Sequence, residues 1–212
     1  VNENKNARMT RALVTSGILG ALSVVLGATH IGLIPWFAGA SLTVMHIPVI
    51  LAAILEGPWA GMAVGAIFGV SSLIQAAVAP TGVLDPVFTN PLVSVLPRLL
   101  IGPIAWALYR LVAGKNTVET GPRIAAASIV SAAAASLAHT ALVLGLLKAF
   151  AIGDKFSFLT WQVVGGVAVA NGLPEAGLAA ILVTGIMLAW KKLVLGSGKA
   201  SLSKDEGDGK AP

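Results

Sequence analysis

Cysteine is absent from the 212 residues, so disulfides, thiolate metal sites and a cysteine nucleophile are excluded, and the redox compartment stays open. Charge is scarce: Asp, Glu, Lys and Arg together make up 11% of the chain, against roughly 25% in an ordinary soluble domain. Aromatic residues reach only 6%, while 56% of the chain is hydrophobic. A soluble core of this size cannot hide so much apolar surface. The apolar residues also run in long blocks rather than one-sided stripes, so hydrocarbon is their natural solvent. The chain reads as an all-α integral membrane protein.

Acidic residues are outnumbered, with 14 Lys and Arg against 9 Asp and Glu. The basic excess sits at the two ends and in short connections, which reflects orientation in a bilayer; no nucleic-acid groove is suggested. Lys5, Arg8 and Arg11 precede an apolar run, as in a signal peptide, but the run is long and further spans follow. It reads as a retained first helix.

A crossing helix needs about 20 apolar residues. Met9 to Ala28, Pro58 to Val78, Val95 to Ala113, Pro122 to Leu147 and Val164 to Val194 meet that length. Leu42 to Leu55 is short, and crosses only if it begins inside the preceding loop or the bilayer thins locally. It is kept as a sixth span because Glu56-Gly57-Pro58 makes a tight turn with Pro at the first helical position. Six spans also put the basic clusters Lys5, Arg8 and Arg11, then Arg110, Lys115 and Arg123, then Lys191, Lys192 and Lys199, on one side. By the positive-inside rule both termini are cytoplasmic. Trp36 and Trp161 then fall near the outer interface and Trp59 and Trp190 near the inner one. The expected organisation is a six-helix transmembrane substrate-binding domain over 1–195 and a disordered cytoplasmic tail over 196–212, where Gly, Ser and charge follow no period.

The three outer loops are apolar and rich in Gly, Pro and aromatics, and read as lids. They run through Thr29 to Phe37, Asp85 to Pro91, and Phe156 to Trp161. Polar residues at membrane depth are costly and usually face a cavity or one another. Here they are His46, Gln75, Asn90, Arg98, His139, Asn171 and Glu175. Asn171 and Glu175 lie one helical turn apart on one face, and with Asn90, Arg98, His139 and the lid residue Trp36 they form the candidate substrate site. Two plainer readings stand beside it: an Arg98–Glu175 ion pair between helices, and a His139 that is only packed and hydrogen-bonded. On the first span Ala12, Ser16 and Gly20 repeat at spacing four, with Gly17 and Ala21 beside them. Such small residues allow close helix approach, either to a neighbouring span or to another membrane subunit.

Enzymatic signatures are lacking. Gly198-Lys199 has no upstream Gly and is followed by Ala200, so there is no P-loop. Gly69-Val70-Ser71 breaks the G-x-S-x-G pattern with Leu73, and metal-dependent motifs are missing. The chain is expected to be no enzyme and to carry no cofactor.

The segments His46-Ile47-Pro48-Val49-Ile50, Glu56-Gly57-Pro58-Trp59-Ala60-Gly61, Val64-Gly65-Ala66-Ile67-Phe68-Gly69, Asn90-Pro91-Leu92-Val93-Ser94-Val95-Leu96-Pro97-Arg98 and Asn171-Gly172-Leu173-Pro174-Glu175 come in this order. Together they resemble the substrate-binding membrane subunits, or S components, of energy-coupling factor (ECF) transporters, over nearly all of Thr10 to Lys192. The resemblance implies high-affinity capture of a vitamin from outside and assembly with a transmembrane coupling subunit and two ATPases, in the plasma membrane of a prokaryote. In that family a small-xxx-small motif on the first helix contacts the coupling subunit; Gly17-Ile18-Leu19-Gly20-Ala21 matches it, with Gly in place of the more usual Ala. Pro-Arg in the fourth span and Asn-x-x-x-Glu in the sixth look like the pantothenate, riboflavin, folate and pyridoxine group. Arg98 suits a carboxylate or phosphate, and Asn171 both donates and accepts, so pantothenate ranks first. A self-contained secondary transporter and an intramembrane enzyme acting on lipid are the alternatives.

Overall fold

The computed structural model describes residues 5–35, 41–80, 84–114 and 121–208. Helix α1 (Lys5–Ala28) leads into a short antiparallel hairpin, β1 (Leu33–Pro35) with β2 (Ser41–Thr43), in which Leu33 pairs with Thr43 and Ile34 with Leu42. Then come α2 (Ile47–Glu56), α3 (Pro58–Val78), two single-turn helices α4 (Asp85–Phe88) and α5 (Pro91–Ser94), α6 (Leu96–Ala113), α7 (Gly121–Phe150) and α8 (Trp161–Asp208). The described chain is all-helical apart from the hairpin. Five stretches, those of α1, α3, α5 with α6, α7 and α8 to Leu193, are long and apolar enough to cross a membrane.

The short helix α2 is the exception that explains itself. Seven residues in a row, Ile47 to Ala53, are buried, and a helix apolar all round belongs inside a protein rather than against lipid. Surrounded by α1, α3 and α6, it has no need to match the hydrocarbon thickness on its own. The apolar stretch Leu42 to Leu55 left the start of this helix open; Leu42 and Thr43 pair in the hairpin, and Pro48 in the first turn marks the start. At its other end the expected turn is present. Gly57 adopts φ +104°, which favours glycine, its N–H donates to the Ala53 carbonyl at 3.0 Å, and Pro58 opens α3.

Helices α3 and α6 meet backbone to backbone. Gly61, Gly65 and Gly69 line one face of α3, and a Cβ at these positions would come within 2.8 Å of Gly102 Cα, 2.2 Å of the Arg98 carbonyl oxygen and 2.8 Å of Val95 Cα respectively. Small residues at i, i+4 and i+8 allow that approach, and in lipid, where apolar burial alone drives no association, close van der Waals packing is what joins helices. The contact holds Arg98 at a set depth. On α7, Ser131 donates its hydroxyl to the Ala105 carbonyl of α6 at 2.7 Å, and α8 packs along α7.

Two apolar clusters result. The larger centres on Val49, Ile50, Val64, Ile101, Ala127, Ala135 and Val183. The smaller joins Val87, Val93, Leu147, Phe156, Leu159 and Val164, so the second and third outer loops, expected as lids, pack on each other and on the end of α7. Outward-facing Leu13, Ile18, Ile74, Leu111 and Ile181 remain exposed, as a lipid-facing surface requires. Trp59, Trp161 and Trp190 are exposed as well; Trp36 lies outside the described residues. The backbone of α8 stays helical to Asp208, through the segment from Gly196 expected to be disordered. Extending an existing helix through Ala200, Leu202 and Glu206 is far easier than nucleating one.

Candidate ligand-binding site

At the end of the bundle that carries the hairpin and the short helices, α3, α6, α7 and α8 enclose a cavity of about 410 Å³. Arg98 reaches it from the first turn of α6. Its Nη1 donates to the Val93 carbonyl at 2.7 Å, and its guanidinium lies 5.5 Å from the ring centroids of both Phe68 and Phe88. These aromatic faces stabilise a buried cation. The side chain is 6% exposed and its Nε has no partner. A guanidinium carries five N–H donors in a fixed fork, and one of them is engaged with Val93.

Opposite stand α7 and α8. His139 lies on the cavity wall, stacked on His46 at 5.7 Å between centroids and tilted against Phe68 at 6.4 Å. Neither of its ring nitrogens has a hydrogen-bond partner. The plainer reading expected a packed and hydrogen-bonded His139; the ring is packed on His46 and Phe68, but it is not hydrogen-bonded, so its donor and acceptor remain unspent. Glu175 is held by Oε1, which accepts from the Thr43 backbone N–H at 2.7 Å, and by Oε2, which accepts from the Thr140 hydroxyl at 3.5 Å. It therefore ties α8 to the hairpin and to α7. Among the described residues no ion pair joins Arg98 to Glu175, so the cation and the carboxylate face the cavity separately. Asn171, one turn earlier on α8, lines the same cavity half-buried and makes no hydrogen bond among the described residues. Pro174 lies between them and removes one rung of the helix ladder, at the Ala170 carbonyl. The remaining wall is apolar: Leu84, Val143, Leu144, Leu147 and Val167.

The cavity thus brings Arg98, His139, Asn171 and Glu175 together. Asn90 does other work: its Oδ1 accepts the Leu92 N–H at 2.9 Å and caps α5, and it is absent from the cavity wall. That cap helps set the Ser94 hydroxyl on the Phe88 carbonyl, and Phe88 is one face of the arginine box. Sequence reasoning passed over Phe68, Ser72, Thr43, Met45 and Thr140, which also line the cavity. Phe68 and Ser72 are four apart on α3, a spacing visible in the sequence, and Thr140 follows His139. Thr43 enters through a backbone N–H, which no side-chain pattern announces. Gln75 faces His30 at 3.4 Å in a second cavity of about 450 Å³ between α1 and α3, sharing Met45, Phe68 and Ser72 with the first. Among the described residues no three His, Asp or Glu side chains stand together as a metal site.

On α1 the small residues divide. Gly20 is buried, and a Cβ there would come within 2.7 Å of Ile67 Cδ1 on α3. Ala12 and Ser16 are half-buried, whereas Gly17 and Ala21 are exposed and Gly17 faces open space.

A helical apolar bundle with a charged and hydrogen-bonding cavity near its capped end matches a known family: residues 11–187 conform to the description "ECF transporter, substrate-specific component". The chain belongs to this family. As the substrate-specific component of an ECF transporter, with five stretches long and apolar enough to cross a membrane, it is a multi-pass membrane protein of transport. It is 23% identical over 201 residues to the pantothenic acid transporter PanT of Lactococcus lactis subsp. cremoris, an alignment covering 89% of this chain and 97% of that protein. It is 31% identical over 103 residues to the pantothenate transporter PanT of Leuconostoc mesenteroides subsp. mesenteroides, covering 49% of this chain and 50% of that one. The S-component resemblance of the motifs between Thr10 and Lys192 is confirmed.

Proposed function

We propose that this S component binds pantothenate in the cavity between α3, α6, α7 and α8 and delivers it into a prokaryotic cell through an ATP-driven ECF module. One observation carries the ligand assignment: a buried arginine, held between two phenylalanines, turns its remaining donors toward a cavity whose opposite wall offers Asn171, His139 and Glu175. Pantothenate has one carboxylate, one amide and two hydroxyls on a branched hydrocarbon. The Arg98 fork suits the carboxylate, the Asn171 amide both donates and accepts, and Glu175 keeps acceptor capacity for a hydroxyl. The two PanT relatives support the same ligand.

Six crossings, with α2 counted as the inner one, put both termini in the cytoplasm by the distribution of Lys and Arg. The exposed Gly17 and Ala21 of α1 form the approach face for a transmembrane coupling subunit, with two ATPases supplying the energy.

Mass spectrometry of small molecules released by denaturing the purified protein tests the ligand; stoichiometric pantothenate is expected, and another vitamin in its place overturns the choice. Copurification tests the partners. A coupling subunit and ATPases should come down with the chain, whereas ATP-independent uptake by the chain alone in liposomes identifies a secondary transporter instead.

A further inference from the structure

On its α3 side the ligand cavity adjoins two others. Ser72 lines all three: the ligand cavity, the one of about 450 Å³ between α1 and α3, and a smaller one of about 190 Å³ where α3 meets α4. Arg98 and Phe88 border both the ligand cavity and the small one, while His30, Gln75 and Ala79 border both the small one and the cavity beside α1. The three spaces therefore follow one another past Arg98. Polarity falls along that row. Near Arg98 the half-buried Ser72 hydroxyl carries no hydrogen bond among the described residues, and Gln75 turns its Nε2 to the Gly27 carbonyl at 3.5 Å and to His30 at 3.4 Å, which leaves its Oε1 to accept. Beyond Gln75 the wall is apolar, made by Val24, Met45, Ile74 and Val78. Among the described residues no Lys, Arg, Asp or Glu borders the cavity beside α1, so it suits a neutral occupant.

We infer that the site also takes amides of pantothenate bearing an unbranched apolar tail, with the tail lodged in the cavity between α1 and α3. The inference rests on pantothenate as the ligand, its carboxylate at Arg98. The carboxyl end is then the end of the molecule beside the adjoining cavities, and a substituent there runs toward Ser72 and Gln75. Converting the carboxylate to a secondary amide keeps a carbonyl oxygen that accepts from the guanidinium and adds one N–H, for which the Ser72 hydroxyl and Gln75 Oε1 are acceptors. The amide gives up the charge of the carboxylate and with it part of the Arg98 pairing. Burial of the tail against Val24, Met45, Ile74 and Val78 offsets that loss, by about threefold in affinity for each methylene removed from water. Pantothenate itself leaves this second cavity unfilled.

Titration calorimetry of the full chain with pantothenate and with its N-propyl, N-butyl and N-pentyl amides tests the inference. All four should bind, the amides should be displaced by excess pantothenate, and affinity should rise about threefold per methylene from propyl to pentyl. Pantothenate binding with no amide binding, a flat affinity from propyl to pentyl, or an amide that stays bound in saturating pantothenate overturns the inference and leaves pantothenate as the ligand. Failure of pantothenate itself to bind overturns both. Ala28→Phe and Ala79→Phe place bulk at exposed positions that border the cavity beside α1 and not the ligand cavity. Each should weaken the N-pentyl amide by about tenfold while leaving pantothenate affinity unchanged; an amide affinity unaltered in both variants puts the tail elsewhere and overturns the assignment.

Discussion

Arg98 is the residue on which the ligand site turns. Its burial would be prohibitive without compensation, and two phenylalanine faces with one carbonyl provide it. Removing the charge leaves a bound carboxylate without its counter-charge in a desolvated cavity. Arg98→Ala should therefore weaken pantothenate by about 2 to 5 kcal/mol in titration calorimetry, and an unchanged affinity would take Arg98 out of the site. Arg98→Lys should recover only part of the loss, because an ammonium cannot reproduce the planar fork. His139 separates two roles. A packed histidine tolerates Phe without effect on affinity, whereas one whose free ring nitrogen meets the ligand loses about 1 to 3 kcal/mol on His139→Phe, measured in the same titration.

At the scale of the element, small residues spaced four apart do opposite work on different helices. On α3, Gly61, Gly65 and Gly69 admit the backbone of α6, and Gly65 lies against the Arg98 carbonyl itself. Gly65→Ala should cost about 1 to 3 kcal/mol of stability by overpacking, seen as a lowered melting temperature in detergent, and should weaken ligand binding because Arg98 moves with its backbone. On α1, Gly17 faces open space. Bulky residues at Gly17 and Ala21 should leave the melting temperature and pantothenate affinity unchanged and abolish copurification of the coupling subunit; retained assembly would remove this face from the interface. Gly20 cannot serve the same test, since it is already packed on Ile67.

The whole molecule divides into a bundle with a capped end and an open, arginine-bordered end. The proposed ligand site lies at the cap, where the hairpin, α4, α5 and the turn before α8 meet, so bound ligand should tie these elements to the helices beneath. With free pantothenate at a hundred times its Kd, linkage alone adds about 2.7 kcal/mol to stability. Thermal-shift titration should show that concentration-dependent rise, and a panel in which another vitamin raises the melting temperature while pantothenate does not would reassign the substrate.

The class, the five long helices and the turn at Gly57 were legible in the chain because each rests on local physics: hydrocarbon length, apolar runs, and a proline at a helix start. The polar residues worth attention could be named for the same reason, since so few survive at membrane depth. Which of them share a cavity could not be read, because that depends on how helices distant in sequence cross. The glycine contact of α3 with α6 decided where Arg98 points, the Thr43 N–H decided that Glu175 anchors the hairpin instead of pairing with Arg98, and the two faces of α1 were separated only by what packs on Gly20. Composition and periodicity determined that this is a membrane bundle; close packing between distant helices decided which of its few polar groups meet.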